Sequence, residues 1–226
     1  FGLAAVKNVG RAFVQALVRQ REQGGRVRSF NDFCQRMAET DMNKRVLESL
    51  IRCGAFDSFG HKRSQLLRVY EQVLDSSANE RRKNIEGQID LFAAVEEEQP
   101  REIPLPDIPE FPRNELLNME KQTTGIYLSG HPLDQYREEI EHLASHKVSQ
   151  LTGEDARRHD GEQVVIVCSI VRIKTINTRS GGMMAFLTVE DLTGTMEVLV
   201  FPKTLQACAV SVRENAAVVI RGRVSY

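Results

Sequence analysis

The sequence lacks several features that mark common classes of protein. It has no tryptophan, no apolar run near the ~18 residues of a membrane span, and no cysteines in C-x-x-C spacing. The absence of a long apolar run argues against a transmembrane helix, and the absence of C-x-x-C spacing argues against a zinc ribbon and a disulfide scaffold. The four scattered cysteines instead indicate reduced thiols in a cytoplasmic protein. Because the chain does not begin with methionine and opens on an apolar run, we expect it to be a piece of a longer protein.

Charge is strongly segregated along the chain, although the net charge is only -1. Residues 1–83 carry 16 lysines and arginines against nine aspartates and glutamates, residues 84–162 carry seven against 18, and residues 163–226 carry seven against four. This order of basic, acidic and basic segments is typical of two polyanion-binding modules joined by a spacer. An ordinary solvated surface with uneven charge is the alternative.

The first basic segment begins with a turn that favours phosphate binding. A helical apolar spacing at Phe13, Val14, Leu17 and Val18 predicts a helix directly after Gly10. Free N–H groups at the start of that helix would form an anion site. Lys7 and Arg11 would add positive charge on either side of it. The pattern resembles a helix-hairpin-helix motif, with an asparagine at the first glycine position. The candidate duplex-binding residues of this turn are Lys7, Asn8, Gly10 and Arg11.

A second helical pair follows within residues 1–83. Ser29 is predicted to cap a short helix, and a helix opening at Asn43 has Val46, Leu47, Leu50 and Ile51 on its buried face. Lys44 and Arg45, in the first turn of that helix, are further candidates for duplex contacts. A further helix is expected from Lys62 to about Ser77. Two hairpins in tandem could hold both backbones of a duplex, whereas a bundle with solvated arginines is the alternative.

Residues 84–112 form an acidic spacer in which five of the seven prolines fall within thirteen positions, a composition typical of an extended linker. At residues 88–92 it contains an apolar pair in polar surroundings, and this peptide is suited to docking in a partner's pocket. Its candidate binding residues are Gln88, Asp90, Leu91 and Phe92. The alternative is one amphipathic helical turn that packs against its own domain.

Residues 113–160 are predicted to be connecting helices, and residues 161–226 an OB-fold that is possibly incomplete. The β-patterned segments occur in the order strand, strand, strand, helix, strand, which is typical of this barrel. Basic and aromatic side chains could bind a single strand there, and the candidates are Arg172, Lys174, Arg179 and Phe186. Phe186 suits stacking and core packing equally, whereas Phe201 is expected in the barrel core.

Two sequence segments resemble the alpha subunits of bacterial DNA polymerase III. They are Glu120-Lys121-Gln122 with Gly125–Leu133, and Ile51–Asp57. The resemblance covers the whole chain and implies an α+β multidomain protein: an all-α tandem helix-hairpin-helix domain, a linker, connecting helices and an OB-fold β-barrel. It also implies that residues 88–92 bind the sliding clamp, and that the partners are primer-template duplex, single-stranded DNA and other holoenzyme subunits, with no membrane.

The resemblance implies a catalytic palm outside this segment. We therefore expect the segment to be inactive alone and to need no cofactor, with Mg²⁺ implied for the parent polymerase. His142 and His146 lie four apart but have no third ligand at a matching spacing, so no metal site is expected. An error-prone paralogue, an RNA-binding OB module similar to a tRNA synthetase anticodon-binding domain, and a purely structural scaffold remain alternatives.

Overall fold

The computed structural model describes residues 2–38, 40, 42–85, 103–178 and 181–226, with the side chains of 78–85 and 155 excluded. It divides into two compact units, Phe1–Leu128 and Ser129–Tyr226. The proposed clamp peptide at 88–92 and the candidate Arg179 lie outside the described residues, so their assignments stay predictions.

Helices and no strands make up the regular secondary structure in the described part of the first unit. After a 3₁₀ turn at Leu3–Ala5 its helices are α1 (Arg11–Gly24), α2 (Phe30–Met37), α3 (Lys44–Arg52), α4 (Arg63–Ile85) and α5 (Arg113–Thr124). Two of these helices begin at side-chain caps. Ser29 accepts a hydrogen bond from the N–H of Asp32, as predicted, and Asn43 accepts one from the N–H of Val46. Such caps replace intrahelical acceptors that the first turn lacks.

The core of this unit is built from the apolar faces of α1 to α4. Leu47, Leu50 and Ile51, which the spacing assigned to the buried face of α3, are at most 1% exposed. Aromatic rings fill the space between the helices, since the ring centroids of Phe33 and Phe56 lie 4.9 Å apart in an edge-on arrangement. A pair of this geometry contributes about 0.5–1.5 kcal/mol beyond the area that it buries.

The described part of the proline-rich run is packed on α4, and we call residues 103–112 the proline strap. Ile103 and Leu105 pack against the helical core. The carbonyl of Pro109 accepts from the Ser64 hydroxyl at 2.9 Å, and that of Pro106 accepts from Gln65 Nε2 at 2.8 Å. The strap is therefore part of the folded unit, although its composition is typical of a linker.

The second unit begins with short helical elements and ends in a sheet. It contains α6 (Arg137–Leu143), 3₁₀ turns at Asp134–Tyr136, Val148–Leu151 and Asp155–His159, then β1 (Gln163–Asn177), β2 (Met183–Glu190), β3 (Thr195–Val200), α7 (Pro202–Cys208) and β4 (Ala217–Arg223). All neighbouring strands are antiparallel, in the order β3-β2-β1-β4. The curled four-stranded sheet with its helix before the last strand confirms the predicted OB-fold order.

The long strand β1 makes this curl possible. Its second half pairs with β2 and its first half with β4, and the register with β2 shifts between Ile170 and Arg172. Such an irregularity bends a strand and increases its twist. Alternate residues of β1 and β2, among them Ile166, Ile170 and Leu187, form the core of the unit, so the intervening side chains lie on the outer face.

Candidate nucleic-acid interface

The turn before α1 is held in shape by its buried residues and by one asparagine. Val6 and Val9 lie in the core, while Asn8 adopts a φ of 67°, the left-handed conformation that asparagine tolerates better than most residues. Its Nδ2 donates to the Ser49 hydroxyl of α3 at 3.0 Å, and the N–H of Lys7 donates to the carbonyl of Thr123 at 2.7 Å. The asparagine thus replaces a glycine in the turn and also joins the turn to α3.

The N-terminus of α1 is open. Gly10 caps it in an extended conformation without a side-chain hydrogen bond, and the N–H groups of residues 11–13 have no acceptor in the described part of the chain. A Cβ at Gly10 would meet no atom within 4 Å, and its φ of -77° suits any residue. The fold itself therefore does not require glycine here, whereas close approach of a phosphate to these N–H groups does favour it.

The charges around this terminus are available for an incoming anion. Lys7 and Arg11 are exposed, and neither side chain has a hydrogen-bond or ion-pair partner among the described residues. The structure therefore brings four of the predicted residues, Lys7, Asn8, Gly10 and Arg11, into one turn. Two cations beside unpaired N–H groups are an arrangement that can hold an anion.

The other two predicted duplex-binding residues open α3, the helix that Asn8 contacts through Ser49. Arg45 is exposed and has no partner among the described residues. Lys44 differs, because its Nζ lies 2.7 Å from Glu71 Oε2. This hydrogen bond raises the pKa of Lys44. A phosphate at Lys44 would have to compete with that carboxylate, so Arg45 is the stronger candidate of the pair.

The N-terminus of α4 contrasts with that of α1, because a carboxylate of the protein itself occupies it. Glu110 of the proline strap accepts from the N–H of Arg63 at 2.7 Å and from the N–H of Ser64 at 3.0 Å. Burial raises the pKa of Glu110, but its backbone hydrogen bonds outweigh that effect and the net pKa is lowered. Because the strap already supplies the anion, α4 does not offer a second open phosphate site.

In the second unit, the outer face of the sheet carries the three predicted single-strand residues that the structure describes. Lys174 of β1 lies opposite Phe186 of β2, and Phe186 lies opposite Leu199 of β3. Arg172 is in the neighbouring row. Opposed residues share a face. Lys174, Phe186 and Leu199 therefore form one row across the sheet, which we call the outer-face row. Phe186 is only partly buried and is absent from the core of the unit.

Two residues differ from the sequence-based prediction. Phe201, which was expected in the barrel core, is 64% exposed, so that prediction was wrong: the residue directly follows β3 and precedes α7, and in the alternation of the strand it falls on the exposed side. Leu199, 49% exposed, was missed as a member of the outer-face row. The sequence could have indicated it, because Leu199 lies two positions after Glu197 in β3 and alternate residues of a strand face the same side.

The folds and the known relatives agree on the class of protein. A family model described as a helix-hairpin-helix motif matches residues 1–66, and one described as an OB-fold nucleic acid binding domain matches residues 164–226. The chain therefore combines two modules of the kind that proteins use to bind nucleic acids. Within the described ranges, no helix has both the length and the apolar character needed to cross a membrane.

Curated relatives identify the family. The chain is 36% identical to the DNA polymerase III subunit alpha of Saccharopolyspora erythraea over 100% of its length, 37% identical to that of Thermus aquaticus over 99%, and 34% identical to one from Neisseria meningitidis over 100%. It belongs to the DNA polymerase III alpha-subunit family. It spans 18–19% of the length of these relatives, about a fifth.

Proposed function

We propose that this chain is the part of a DNA polymerase III alpha subunit that holds DNA and the sliding clamp during processive synthesis. The turn before α1 would bind the backbone of the primer-template duplex. The peptide at residues 88–92 would bind the clamp, and the outer-face row would contact single-stranded DNA. The family membership and the two nucleic-acid-binding modules support this assignment.

The observation that carries the proposal is the difference between two helix N-termini. At α1 the N–H groups, Lys7 and Arg11 are free among the described residues, whereas Glu110 fills the same position at α4. Helix N-termini bind anions because their N–H groups lack acceptors and the helix dipole is positive there. A site of this kind holds phosphates without reading bases, as a polymerase that copies every sequence requires.

The duplex proposal is tested by replacing the two free cations together. We expect Lys7→Ala with Arg11→Ala to weaken binding to a primed duplex at least tenfold at low salt and to reduce the salt slope by about two, since each lost phosphate contact contributes about 0.9. Fluorescence anisotropy over a salt series measures both quantities. Arg68→Ala is the control, because Arg68 is an exposed cation of α4 and not one of the turn residues.

Two results would contradict the duplex proposal. One is a double variant that binds the primed duplex with the affinity and salt slope of the parent. The other is preferential displacement of the duplex by tRNA, which would instead support an RNA-binding function. Gly10→Val adds a test that leaves charge unchanged: the open space at Gly10 predicts a normally folded protein with weakened duplex binding.

The clamp proposal has a thermodynamic rationale. A peptide held by the clamp makes each rebinding of DNA intramolecular, and this raises processivity without a tighter DNA site. Leu91 and Phe92 would supply the apolar burial, about 1.5–3 kcal/mol for each side chain, while Gln88 and Asp90 would fix the register of the peptide. Titration of the purified clamp should show no binding to Leu91→Ala with Phe92→Ala, whereas duplex affinity stays unchanged. Equal clamp affinity for parent and variant would refute the assignment.

The remaining proposals concern the parent protein. It would act in the cytoplasm with other holoenzyme subunits and use Mg²⁺ for nucleotide transfer, whereas this chain would require no cofactor for DNA binding. We expect no incorporation when the 226-residue chain is mixed with Mg²⁺, nucleotides and a primed template. Incorporation that co-purifies with the chain would contradict this.

A further inference from the structure

Three potential metal ligands meet in the second unit, at the start of β1. One ligand atom from each of His146, His159 and Glu162 lies within 4.8 Å of the other two. His159 Nδ1 is 2.6 Å from one oxygen of Glu162, and His146 Nε2 is 3.6 Å from the other. The two imidazole rings lie edge to face with centroids 4.8 Å apart. The carboxylate is therefore flanked by a histidine on each side.

The position of His146 is fixed by hydrogen bonds of the preceding residue, Ser145. The N–H of Ser145 donates to the carbonyl of Val165 in β1 at 2.8 Å, and the N–H of Val165 donates to the Ser145 hydroxyl at 2.9 Å. The same hydroxyl lies 2.9 Å from His146 Nδ1. When Nδ1–H donates to it, Nε2 carries the lone pair and faces Glu162. A second partner on the other ring nitrogen is the usual way in which proteins orient a ligating histidine.

His159 and Glu162 are brought together by a tight turn. The N–H of Glu162 donates to the carbonyl of His159 at 2.9 Å, and Gly161 provides a left-handed φ of 80°. The histidines are only partly accessible, with side-chain exposures of 16% for His146 and 25% for His159, whereas Glu162 is 44% exposed. The ring positions are therefore set by the fold, and the carboxylate is free to adjust.

We propose that His146, His159 and Glu162 bind one divalent transition-metal ion of the zinc class. Two imidazole nitrogens and one carboxylate oxygen are a ligand set that Zn²⁺ accepts, with water in the fourth position. Ligand atoms around a tetrahedral zinc lie about 3.3 Å apart, so the group must contract by roughly 1.5 Å at most. The carboxylate oxygens of Glu162 already lie 2.6 and 3.6 Å from the nearest nitrogens of His159 and His146. The ion joins the segment after α6 to the start of β1.

This grouping differs from the His142 and His146 pair that the sequence suggested. His142 is exposed on α6 and is not part of the group found among the described residues. His159 and Glu162 lie 13 and 16 positions after His146, beyond the reach of a single-helix pattern. Only the fold of Ser145 onto β1, with the turn at Gly161, brings the three side chains together.

Zinc titration of the 226-residue chain tests the proposal. In a Cys208→Ser background, which removes the most accessible of the described thiols, we expect one equivalent of Zn²⁺ in competition with a chromophoric chelator. His146→Ala, His159→Ala and Glu162→Gln should each weaken binding more than tenfold. His142→Ala is the matched control and should bind zinc as the parent does. Co²⁺ in place of Zn²⁺ should give the visible absorption bands of a four-coordinate site, and each ligand variant should lose them.

The proposal is overturned if Glu162→Gln and a histidine variant bind zinc as tightly as the parent, or if His142→Ala weakens binding as much as they do. Circular dichroism identifies a variant that does not fold. Because Glu162 is the exposed member of the group, Glu162→Gln is the variant that decides the result if a histidine substitution disrupts the unit. Zinc affinity and the cobalt spectrum are independent of DNA binding, so they do not depend on the function proposed above.

Discussion

Arg63 and Glu120 form an ion pair inside the first unit although 57 positions separate them in the sequence. Arg63 Nη2 lies 2.9 Å from Glu120 Oε1, and the two side chains are 7% and 0% exposed. Burial lowers the pKa of Arg63, but its hydrogen bonds to Asp57 and Glu120 raise it by more, so the guanidinium is held in its charged form. The pair fixes α5 against the start of α4, next to the turn before α1 that contacts Thr123.

Removing one member of this pair should destabilise the fold strongly. Glu120→Ala leaves the guanidinium of Arg63 buried with only Asp57 to compensate, so we expect a loss of about 3 kcal/mol in the free energy of unfolding. Urea denaturation followed by circular dichroism measures it. Glu115→Ala, at an exposed position of the same helix, should change stability by no more than about 0.5 kcal/mol. Equal costs for the two variants would show that the buried pair is not a major stabilising contact.

Two glycines with the same backbone conformation should respond differently to substitution. Gly54 and Gly60 have φ of 80° and 79°, but a Cβ at Gly54 would lie 2.2 Å from Arg63 Nη2, whereas at Gly60 it would meet nothing within 4 Å. Gly60→Ala should cost about 1–2 kcal/mol for the left-handed backbone alone. Gly54→Ala should cost several kcal/mol more, because it also displaces Arg63. Similar melting temperatures for the two variants would contradict this account of Gly54.

The hydrogen bonds to Glu110 should make the stability of the first unit depend on pH. Because the folded-state pKa of Glu110 lies below its ordinary value of 4.5, the carboxylate stabilises the fold above that pH, and the contribution is lost as pH falls through the folded-state pKa. Glu110→Gln should therefore cost about 1 kcal/mol at pH 7, with the difference from the parent shrinking below pH 4.5. A parent-minus-variant difference that stays constant from pH 7 to 3.5 would contradict the assignment.

The outer-face row should contribute to single-strand binding and little to stability. Phe186→Ala removes a ring that is not in the core, so we expect about tenfold weaker binding to a single-stranded oligonucleotide, in line with the energy of ~1–3 kcal/mol for one stacked base. Met183→Ala is the control, because Met183 is exposed on the same strand but alternates to the other face. Unchanged oligonucleotide affinity for Phe186→Ala would count against stacking.

The four cysteines should differ sharply in reactivity. Burial raises the pKa of Cys34 and of Cys168 to about 12, and desolvation also raises that of Cys53. Thiolates react and thiols do not, so at pH 8 only the more accessible Cys208 should react promptly with a disulfide reagent, and all four should react after denaturation. Cys208→Ser should abolish the fast phase. Rapid reaction of more than one thiol in the native protein would contradict the burial described here.

The local elements were predictable because their information lies within a few residues. The spacing of Phe13 and Leu17 predicts α1, Ser29 predicts the start of α2, and the alternation in β1 and β2 predicts the strands. One boundary differs, since α4 extends to Ile85, beyond the expected end near Ser77. Helix ends depend on caps and packing from elsewhere in the chain, so they are less determined by local pattern.

The sequence by itself determined the charge segregation, the element order, the hairpin pattern and the resemblance that names the family, because each depends on residue identity or short-range spacing. Only the tertiary structure decided which side chains from distant parts of the sequence come into contact. Glu110 closes the N-terminus of α4 from 46 positions away, Asn8 joins α3 through Ser49, and His146 meets His159 and Glu162. Such contacts depend on how the elements pack and where the chain turns, and no local periodicity encodes that.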